Sequence, residues 1–249
     1  MNGRAGQIVR AAVFFCALSA SAAAQAEDAT YVLALSWQPA FCASAPGAAK
    51  AECAGGANEQ LTLHGLWPNA DRNDDGRLDA DDDYCLGADR SRLIAADKKN
   101  WKQLPPVPLS AELRQRLGAV MPGVASQLER HQWVKHGTCS GFSTERYFAA
   151  AVALSEDVRD SQFARLIAAR AGRDISRREL LQAISTEFGP GSERAVQLLC
   201  RRDQGLATLT ELRFRLISAA IEAPLSRDSF DTSRVVKGSC PARFSIERD

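Results

Sequence analysis

The chain has 249 residues, of which 45% are hydrophobic and 24% are charged, and its formal net charge is +1. It contains no repeats and no low-complexity tract beyond an Ala/Gly-rich loop at 43–57, which excludes a repeat architecture and suits one domain with a sizeable core. The segment 71–83 has a net charge of −5, which leaves about +4 on the other residues after position 26. So small an excess is weak support for a polyanionic partner.

Residues 1–26 have the organisation of a secretory signal peptide. Two arginines are followed by an apolar run at 11–18 and then by small residues that end in Ala24-Gln25-Ala26. This run is too short to cross a bilayer as a helix, and the A-x-A pattern predicts cleavage after it. We therefore expect a single domain at 27–249, exported to the periplasm or the medium, without membrane attachment after cleavage.

The cysteines of the exported chain predict disulfides. Six remain once Cys16 is removed with the signal peptide, and an even number in an exported chain is typical of a disulfide framework. They are Cys42, Cys53, Cys85, Cys139, Cys200 and Cys240. Spacing alone favours only Cys42–Cys53, which closes a short Ala/Gly/Pro-rich loop. No CxxC spacing is present, so we expect no zinc site built from cysteines.

Two apolar runs near the start of the exported chain predict strands. Residues 31–37 alternate between large apolar side chains and small residues, the pattern of a buried strand that ends before Pro39. A second apolar run at 61–66 places His64 on a strand or at its end.

Residues 71–82 follow the pattern of a twelve-residue calcium-binding loop, with Gly76 at its sixth position. The predicted ligands are oxygen atoms of Asp71, Asn73, Asp75, Arg77 through its backbone carbonyl, Asp79 and Asp82. Asp82 stands where such loops usually have a bidentate glutamate, and Pro68 argues against a full helix before the loop. The alternatives are a structural calcium site and a solvated acidic loop.

Three serines predict the starts of helices in the centre of the chain. Ser110 precedes one apolar helical pattern, and Ser143 precedes a second that continues to Gly172. Ser176-Arg177-Arg178-Glu179 has the sequence of a capping box ahead of a third helix, which Gly189-Pro190-Gly191 ends.

Strands are predicted again after the helices. Residues 211–216 alternate between charged and apolar side chains, which is typical of a half-buried strand, and Phe244 and Ile246 indicate a last strand. Helices interleaved with strands that differ in pattern, some buried and some half-buried, predict an α+β fold.

The segment His131-Gln132-Trp133-Val134-Lys135-His136-Gly137-Thr138-Cys139 holds two of the three histidines, and His64 is the third. On a helix, at about 100° per residue, four of its polar side chains fall within an arc of roughly 140° and can face one cleft. They are His131, Gln132, Lys135 and His136. Two groups that titrate near neutrality, with a cation between them, suit proton transfers beside an anion. The alternative is an ordinary solvated face.

This segment and Leu63-His64-Gly65-Leu66-Trp67-Pro68 resemble the two active-site segments of the ribonuclease T2 family. Residues 35–42 resemble the first strand of the family, and Ser176-Arg177-Arg178 and residues 223–230 look like its bacterial periplasmic members. The resemblance covers most of the exported chain. It implies an antiparallel central sheet packed with helices and stabilised by disulfides, with Cys85–Cys139 and Cys200–Cys240 as pairs beside Cys42–Cys53.

The resemblance also implies an endoribonuclease that cleaves single-stranded RNA through a 2′,3′-cyclic phosphate to a 3′-phosphate, without a metal cofactor for catalysis. His136 is then the base and His64 the acid of the first step. Lys135 stabilises the developing charge, and His131 holds the phosphate. Trp67 packs beside the site or stacks on a base. We expect a monomer whose partner is its RNA substrate.

One residue departs from the family pattern. The family normally has a glutamate where this chain has Gln132, and glutamine can donate or accept a hydrogen bond but carries no charge. Glu129, three residues earlier, is a candidate substitute. Gln132 leaves open a catalytically weakened RNA-binding member of the same fold. The three histidines leave open a zinc-dependent hydrolase that uses them as ligands.

Overall fold

The computed structural model describes residues 30–69 and 82–249. The predicted signal peptide lies outside the described residues, and so does the predicted calcium loop except for Asp82.

In the part of the chain that the structure describes, a six-stranded sheet forms the centre, and β5 pairs with three of the other strands. The strands are β1 (Thr30–Trp37), β2 (Leu61–Asn69), β3 (Asp174–Ser176), β4 (Val196–Asp203), β5 (Leu206–Ile217) and β6 (Arg243–Ser245). Their order is β2-β1-β5-β6-β3, and β4 pairs with β5. The pairs are antiparallel except for β5 and β6, which meet in parallel through Thr208 and Ser245. The predicted α+β fold with an antiparallel central sheet is confirmed, apart from this one parallel contact.

Eight α-helices of the described residues surround the sheet. They are α1 (Gln38–Cys42), α2 (Ala45–Ala48), α3 (Arg90–Lys99), α4 (Ala111–Val120), α5 (Leu128–Lys135), α6 (Thr144–Arg159), α7 (Gln162–Ala169) and α8 (Arg177–Phe188). The long helix α6 packs on β1 and β2, where the buried Tyr147 hydroxyl donates a hydrogen bond to the carbonyl of Leu66 at 2.6 Å. This hydrogen bond holds β2, the strand that carries His64, against the helix layer.

The two faces of β1 have different roles. Leu33, Leu35 and Trp37 are fully buried in the core, as their alternation predicts. Ala34 and Ser36 point to the other face, where their small side chains leave room above the sheet.

The serines predicted as helix caps accept backbone hydrogen bonds at the starts of α4, α6 and α8. Two details differ from the sequence prediction. The pattern expected to run to Gly172 is interrupted after α6, because Ser161 caps a separate helix α7 through the amide of Ala164. The capping box of α8 is only half formed, because Glu179 binds the guanidinium of Arg170 at 2.5 Å and does not return to the amide of Ser176.

Within residues 30–69 and 82–249, three disulfides link the loops to this framework: Cys42–Cys53, Cys85–Cys139 and Cys200–Cys240. These are the pairs that the family resemblance implies. In the described parts of the chain, no helix combines the length and hydrophobicity that crossing a membrane requires.

Candidate active site

His64 lies at a β-bulge in β2. Ala34 of β1 pairs with Gly65 and Leu35 pairs with Leu63, so His64 is the extra residue between them. A bulge of this kind re-aims the side chain of its extra residue, and bulges are frequent beside active sites. The imidazole Nδ1 of His64 lies 2.6 Å from Oε2 of Glu211 on β5.

The contact between His64 and Glu211 spans β1, which lies between their strands. Ser36 of β1 is the register partner of both Thr62 on β2 and Glu211 on β5. Two strand spacings separate β2 from β5, about 10 Å in all, and only small side chains on β1 allow the two longer ones to meet above it. The small residues that the sequence shows on this face therefore have a function in the site.

Glu211 also binds Arg213, whose Nε lies 2.6 Å from Oε1 of the carboxylate. Burial raises the pKa of Glu211, but the hydrogen bond and charge of His64, together with Arg213, outweigh burial and lower this pKa below its ordinary value. Glu211 is consequently ionised at neutral pH, held between an imidazole and a guanidinium.

His136 follows the last residue of α5, and its Nδ1 lies 3.0 Å from Oδ1 of Asp83. The other carboxylate oxygen of Asp83 lies 3.8 Å from Nζ of Lys135. Burial lowers the pKa of His136 and outweighs the opposite effect of Asp83, and the positive charge of Lys135 lowers it further. The residue is only 9% exposed, and with its pKa lowered the imidazole is mostly neutral at neutral pH.

His131 is held by a chain of three groups. Its Nδ1 lies 2.8 Å from Oδ1 of the buried Asp97, and the hydroxyl of Tyr84 donates to Oδ2 of Asp97 at 2.8 Å. Burial raises the pKa of Asp97, but these two hydrogen bonds outweigh burial and lower it. The ring of His131 stacks on Trp101, with centroids 4.7 Å apart and an angle of 19° between the rings.

The three imidazoles form one group, which we call the histidine cluster (His64, His131 and His136), and Trp67 contacts two of them. The centroid of the Trp67 ring lies 5.2 Å from that of His64 and 5.3 Å from that of His136. His131 and His136 are 6.2 Å apart, nearly edge to face. The structure therefore brings together histidines that are up to 72 positions apart in the printed sequence.

Gln132 differs from the other polar residues of α5, because its side chain is buried and only 1% exposed. Its Oε1 accepts a hydrogen bond from the indole N–H of Trp67 at 2.8 Å, and its Nε2 has no hydrogen-bond partner among the described residues. The contact requires Gly65, since a Cβ there would lie 2.0 Å from Oε1. The expected open face with all four polar side chains is thus only partly formed, because a buried indole N–H needs an acceptor.

Glu129 is the candidate substitute for the missing glutamate. Its Oε1 lies 3.6 Å from Nε of Arg130. It makes no hydrogen bond to the histidine cluster. Its Oε2 is buried and has no partner among the described residues. Burial raises the pKa of Glu129 above its ordinary value. The carboxylates that do reach the cluster are Asp83, Asp97 and Glu211.

A cavity of about 440 Å³ opens beside His64. Its walls include Ser36, Phe41, Trp101 and Arg213, but not Lys135, His131 or His136. The histidine cluster therefore lies at the edge of this cavity and not at its centre. The guanidinium of Arg213 lies 4.9 Å from the Trp67 ring centroid and joins the cavity wall to the cluster.

No group of three or more His, Cys, Asp or Glu residues within 30–69 and 82–249 is arranged to hold a metal ion. The zinc-hydrolase alternative therefore has no ligand set in these ranges. Asp82, the last predicted calcium ligand, is buried beside the Cys85–Cys139 disulfide.

The chain resembles known proteins over most of its length. A model of the Ribonuclease T2 family matches residues 28–234. Ribonuclease I of Escherichia coli (strain K12) is 32% identical over 232 residues, which cover 88% of this chain and 85% of that protein.

Two solved structures have a similar fold. A mutant of RNase MC1 in complex with 5′-GMP has a TM-score of 0.56 at 22% identity, over 87% of this chain and 98% of that one. The self-incompatibility associated SF11-RNase of Nicotiana alata has a TM-score of 0.59 at 18% identity, over 89% of this chain and 99% of that one. These two structures show a shared fold, and the family model and the bacterial relative establish that the chain belongs to the ribonuclease T2 family of endoribonucleases.

Proposed function

We propose that the protein cleaves single-stranded RNA by transphosphorylation, without a metal ion in the reaction. The observation that carries the proposal is that His64 and His136 both contact the ring of Trp67, each with a carboxylate on its Nδ1. Because Nδ1 of each ring is engaged, Nε2 is left for the substrate. RNA supplies its own nucleophile, the 2′-hydroxyl, so the protein needs only acid, base and cations.

His136 is the base of the first step. The lowered pKa of its imidazole keeps Nε2 unprotonated at neutral pH and able to take the proton of the 2′-hydroxyl. The 2′-oxygen then attacks phosphorus, and the bond from phosphorus to the 5′-oxygen breaks. Asp83 fixes the tautomer by accepting from Nδ1.

His64 is the acid that protonates the leaving 5′-oxygen. Ionised Glu211 accepts the hydrogen bond from Nδ1, stabilises the imidazolium and orients the ring. In the second step water opens the 2′,3′-cyclic phosphate to a 3′-phosphate, with the two histidines in reversed roles.

Charge on the phosphorane is stabilised by Lys135, with His131 as a further phosphate ligand. Gln132 has no charge to contribute, and we assign it the positioning of Trp67 through their hydrogen bond. The apolar walls of the cavity beside His64 suit a nucleobase. That RNase MC1 is known in complex with 5′-GMP supports a nucleotide ligand for this fold.

The test is cleavage of single-stranded RNA in excess chelator by the wild-type protein and by His136→Ala. We expect products with cyclic 2′,3′-phosphate or 3′-phosphate ends, and a loss of rate of at least about 1,000-fold in the variant. Lys237→Gln, which changes an exposed lysine outside the histidine cluster, is the control and should retain full activity. RNA binding without cleavage by the folded wild type would favour the weakened binding protein, and activity restored only by zinc would favour the metallohydrolase.

We further propose that the domain at 27–249 is exported, to the periplasm or the medium, since residues 1–26 read as a signal peptide and three disulfides need an oxidising compartment. The loop at 71–82 is proposed to hold a structural calcium ion. Calcium should then raise the melting temperature, and Asp75→Ala should abolish this rise. Equal melting temperatures with calcium and with chelator would leave the loop as a solvated acidic segment.

A further inference from the structure

The lysines of this chain are concentrated near the histidine cluster. Of 31 basic residues only six are lysines, and the other 25 are arginines. Four of the six surround Trp101, and we call them the lysine cluster: Lys50, Lys98, Lys99 and Lys102. All four line a second cavity, of about 420 Å³, together with the Trp101 ring.

The lysine cluster is available for a ligand. Lys98, Lys99 and Lys102 are exposed, and none of the four lysines forms an ion pair with a carboxylate of residues 30–69 or 82–249. The one carboxylate in the cavity wall, Asp97, is engaged by Tyr84 and His131. The cavity therefore has an excess of positive charge.

Helix electrostatics account for only part of this cluster. Lys98 and Lys99 end α3, where cations are favoured by the helix dipole. Lys102 lies in the following short 3₁₀-helix at Trp101–Gln103, and Lys50 comes from a different part of the chain, just before Cys53. Because separate segments bring their lysines to one cavity, the cluster is a feature of the folded surface.

The lysine cluster is continuous with the proposed active site. Lys50 and Trp101 line both this cavity and the one beside His64. The ammonium of Lys50 lies 4.9 Å from the centre of the Trp101 ring, and the same ring stacks on His131. A strand whose phosphate is held at His131 would next meet this surface.

We propose that the lysine cluster is a subsite for the RNA backbone, which binds phosphates of nucleotides beyond the one that is cleaved. The inference rests on the proposed function for the identity of the strand. Lysine presents a point charge on a flexible stem, which suits contacts with phosphates independent of sequence. The subsite therefore favours long single-stranded RNA over very short substrates without adding base preference.

The experiment compares wild-type protein with a variant that combines Lys98→Gln, Lys99→Gln and Lys102→Gln. Lys50 is left unchanged because it contacts Trp101. The substrates are a dinucleoside monophosphate and a single-stranded RNA of about 12 nucleotides. We expect kcat/KM for the longer RNA to fall by about tenfold at low salt. The slope of log(kcat/KM) against the logarithm of the salt concentration should become shallower by about 2. The value for the dinucleoside monophosphate should change less than about twofold.

A matched control removes the same charge elsewhere, with Arg173→Gln, Arg178→Gln and Lys237→Gln, three exposed side chains. An equal loss with this control variant would overturn the subsite, because net charge alone would then be the cause. So would an unchanged kcat/KM for the longer RNA in the lysine variant.

Binding separates this inference from the catalytic proposal. A 2′-deoxy oligonucleotide of the same length lacks the nucleophile, and its dissociation constant is measured by fluorescence anisotropy. The lysine variant should bind it about tenfold more weakly than the wild type and the control variant do. If the wild type binds this strand through the lysines but cleaves no RNA, the proposed function fails and the subsite stands. If the lysine variant binds as tightly as the wild type, the subsite fails.

Discussion

Gln132 and Trp67 are joined by a partly buried hydrogen bond of 2.8 Å, from the indole N–H to the amide oxygen. Trp67 in turn contacts the rings of both His64 and His136. The residue at the position where the family has a glutamate therefore acts on the site through the tryptophan, in addition to any contact with substrate. A glutamate there can accept the same bond, which explains how the two residue types can occupy one position in this fold.

Removing this acceptor should affect both stability and activity. Gln132→Leu leaves the partly buried indole N–H of Trp67 without its acceptor, so we expect the free energy of unfolding to fall by about 0.5–1.5 kcal/mol. We expect kcat to fall by about tenfold or more, as the ring that contacts both histidines shifts. Denaturant unfolding and steady-state kinetics measure both effects. Gln132→Glu, which retains an acceptor, is the matched control, and an equal loss of kcat in both variants would contradict a positioning role.

The pH dependence of the rate should report the environment of His136. A base must be unprotonated to act, and because burial lowers the pKa of His136, the acidic limb of the kcat/KM profile should lie below the ordinary histidine value of 6.5. Asp83 raises the pKa of His136, so Asp83→Asn should move this limb to still lower pH while reducing the plateau by about 10–1,000-fold. An acidic limb above pH 6.5 in the wild type, or a shift of this limb to higher pH in Asp83→Asn, would count against His136 as the base.

The sequence predicts the strands that carry His64, the helix that carries His131 and His136, and the α+β class. It does not predict the carboxylates that hold these histidines. Glu211 lies 147 positions from His64, and its place opposite that residue depends on β1 lying between β2 and β5. The alternation at 211–216 identifies the exposed face of β5 but not the strand beside it. Small side chains on β1 were a signal, although one that acquires its meaning only with the strand order.

Asp97 and Trp101 escape prediction for a different reason. Helix α3 has few apolar residues on a regular face, and Trp101 follows it in a single 3₁₀ turn. Periodicity therefore gives little indication of where this segment packs. Its contact with His131 is decided by tertiary packing against α5.

Glu211 should act through His64. Glu211→Gln keeps the size of the side chain but removes the charge that stabilises the imidazolium, so we expect kcat to fall by about 10–100-fold with little change in KM. Glu222→Gln removes an exposed carboxylate paired with Arg146 and serves as the control. An unchanged kcat in Glu211→Gln, or a rise in KM in place of the fall in kcat, would show that the carboxylate does not act through His64.

The stability of the protein in acid should depend on the same carboxylate. The pKa of Glu211 is lower in the folded protein than its ordinary value of 4.5, so the unfolded chain binds its proton at higher pH. The stabilisation is therefore complete above about pH 4.5 and is lost as the pH falls through the pKa of Glu211 in the folded protein. Unfolding experiments between neutral and acidic pH should show a smaller acid-induced loss of stability in Glu211→Gln than in the wild type. Parallel losses in both proteins would contradict this assignment.

Glu129→Gln tests whether Glu129 replaces the missing glutamate. The carboxylate is buried next to Arg130, and Oε2 has no partner among the described residues, so its charge is unfavourable in the folded state. Because the pKa of Glu129 is raised in the folded protein, the protonated carboxyl contributes to stability at pH values below the ordinary pKa of 4.5. This contribution is lost as the pH rises through the pKa of the folded protein. We therefore expect the variant to be more stable than the wild type at neutral pH, with a difference that shrinks in acid, and to cleave RNA at an unchanged rate. A fall in kcat of tenfold or more in a fully folded variant would instead place Glu129 in the reaction.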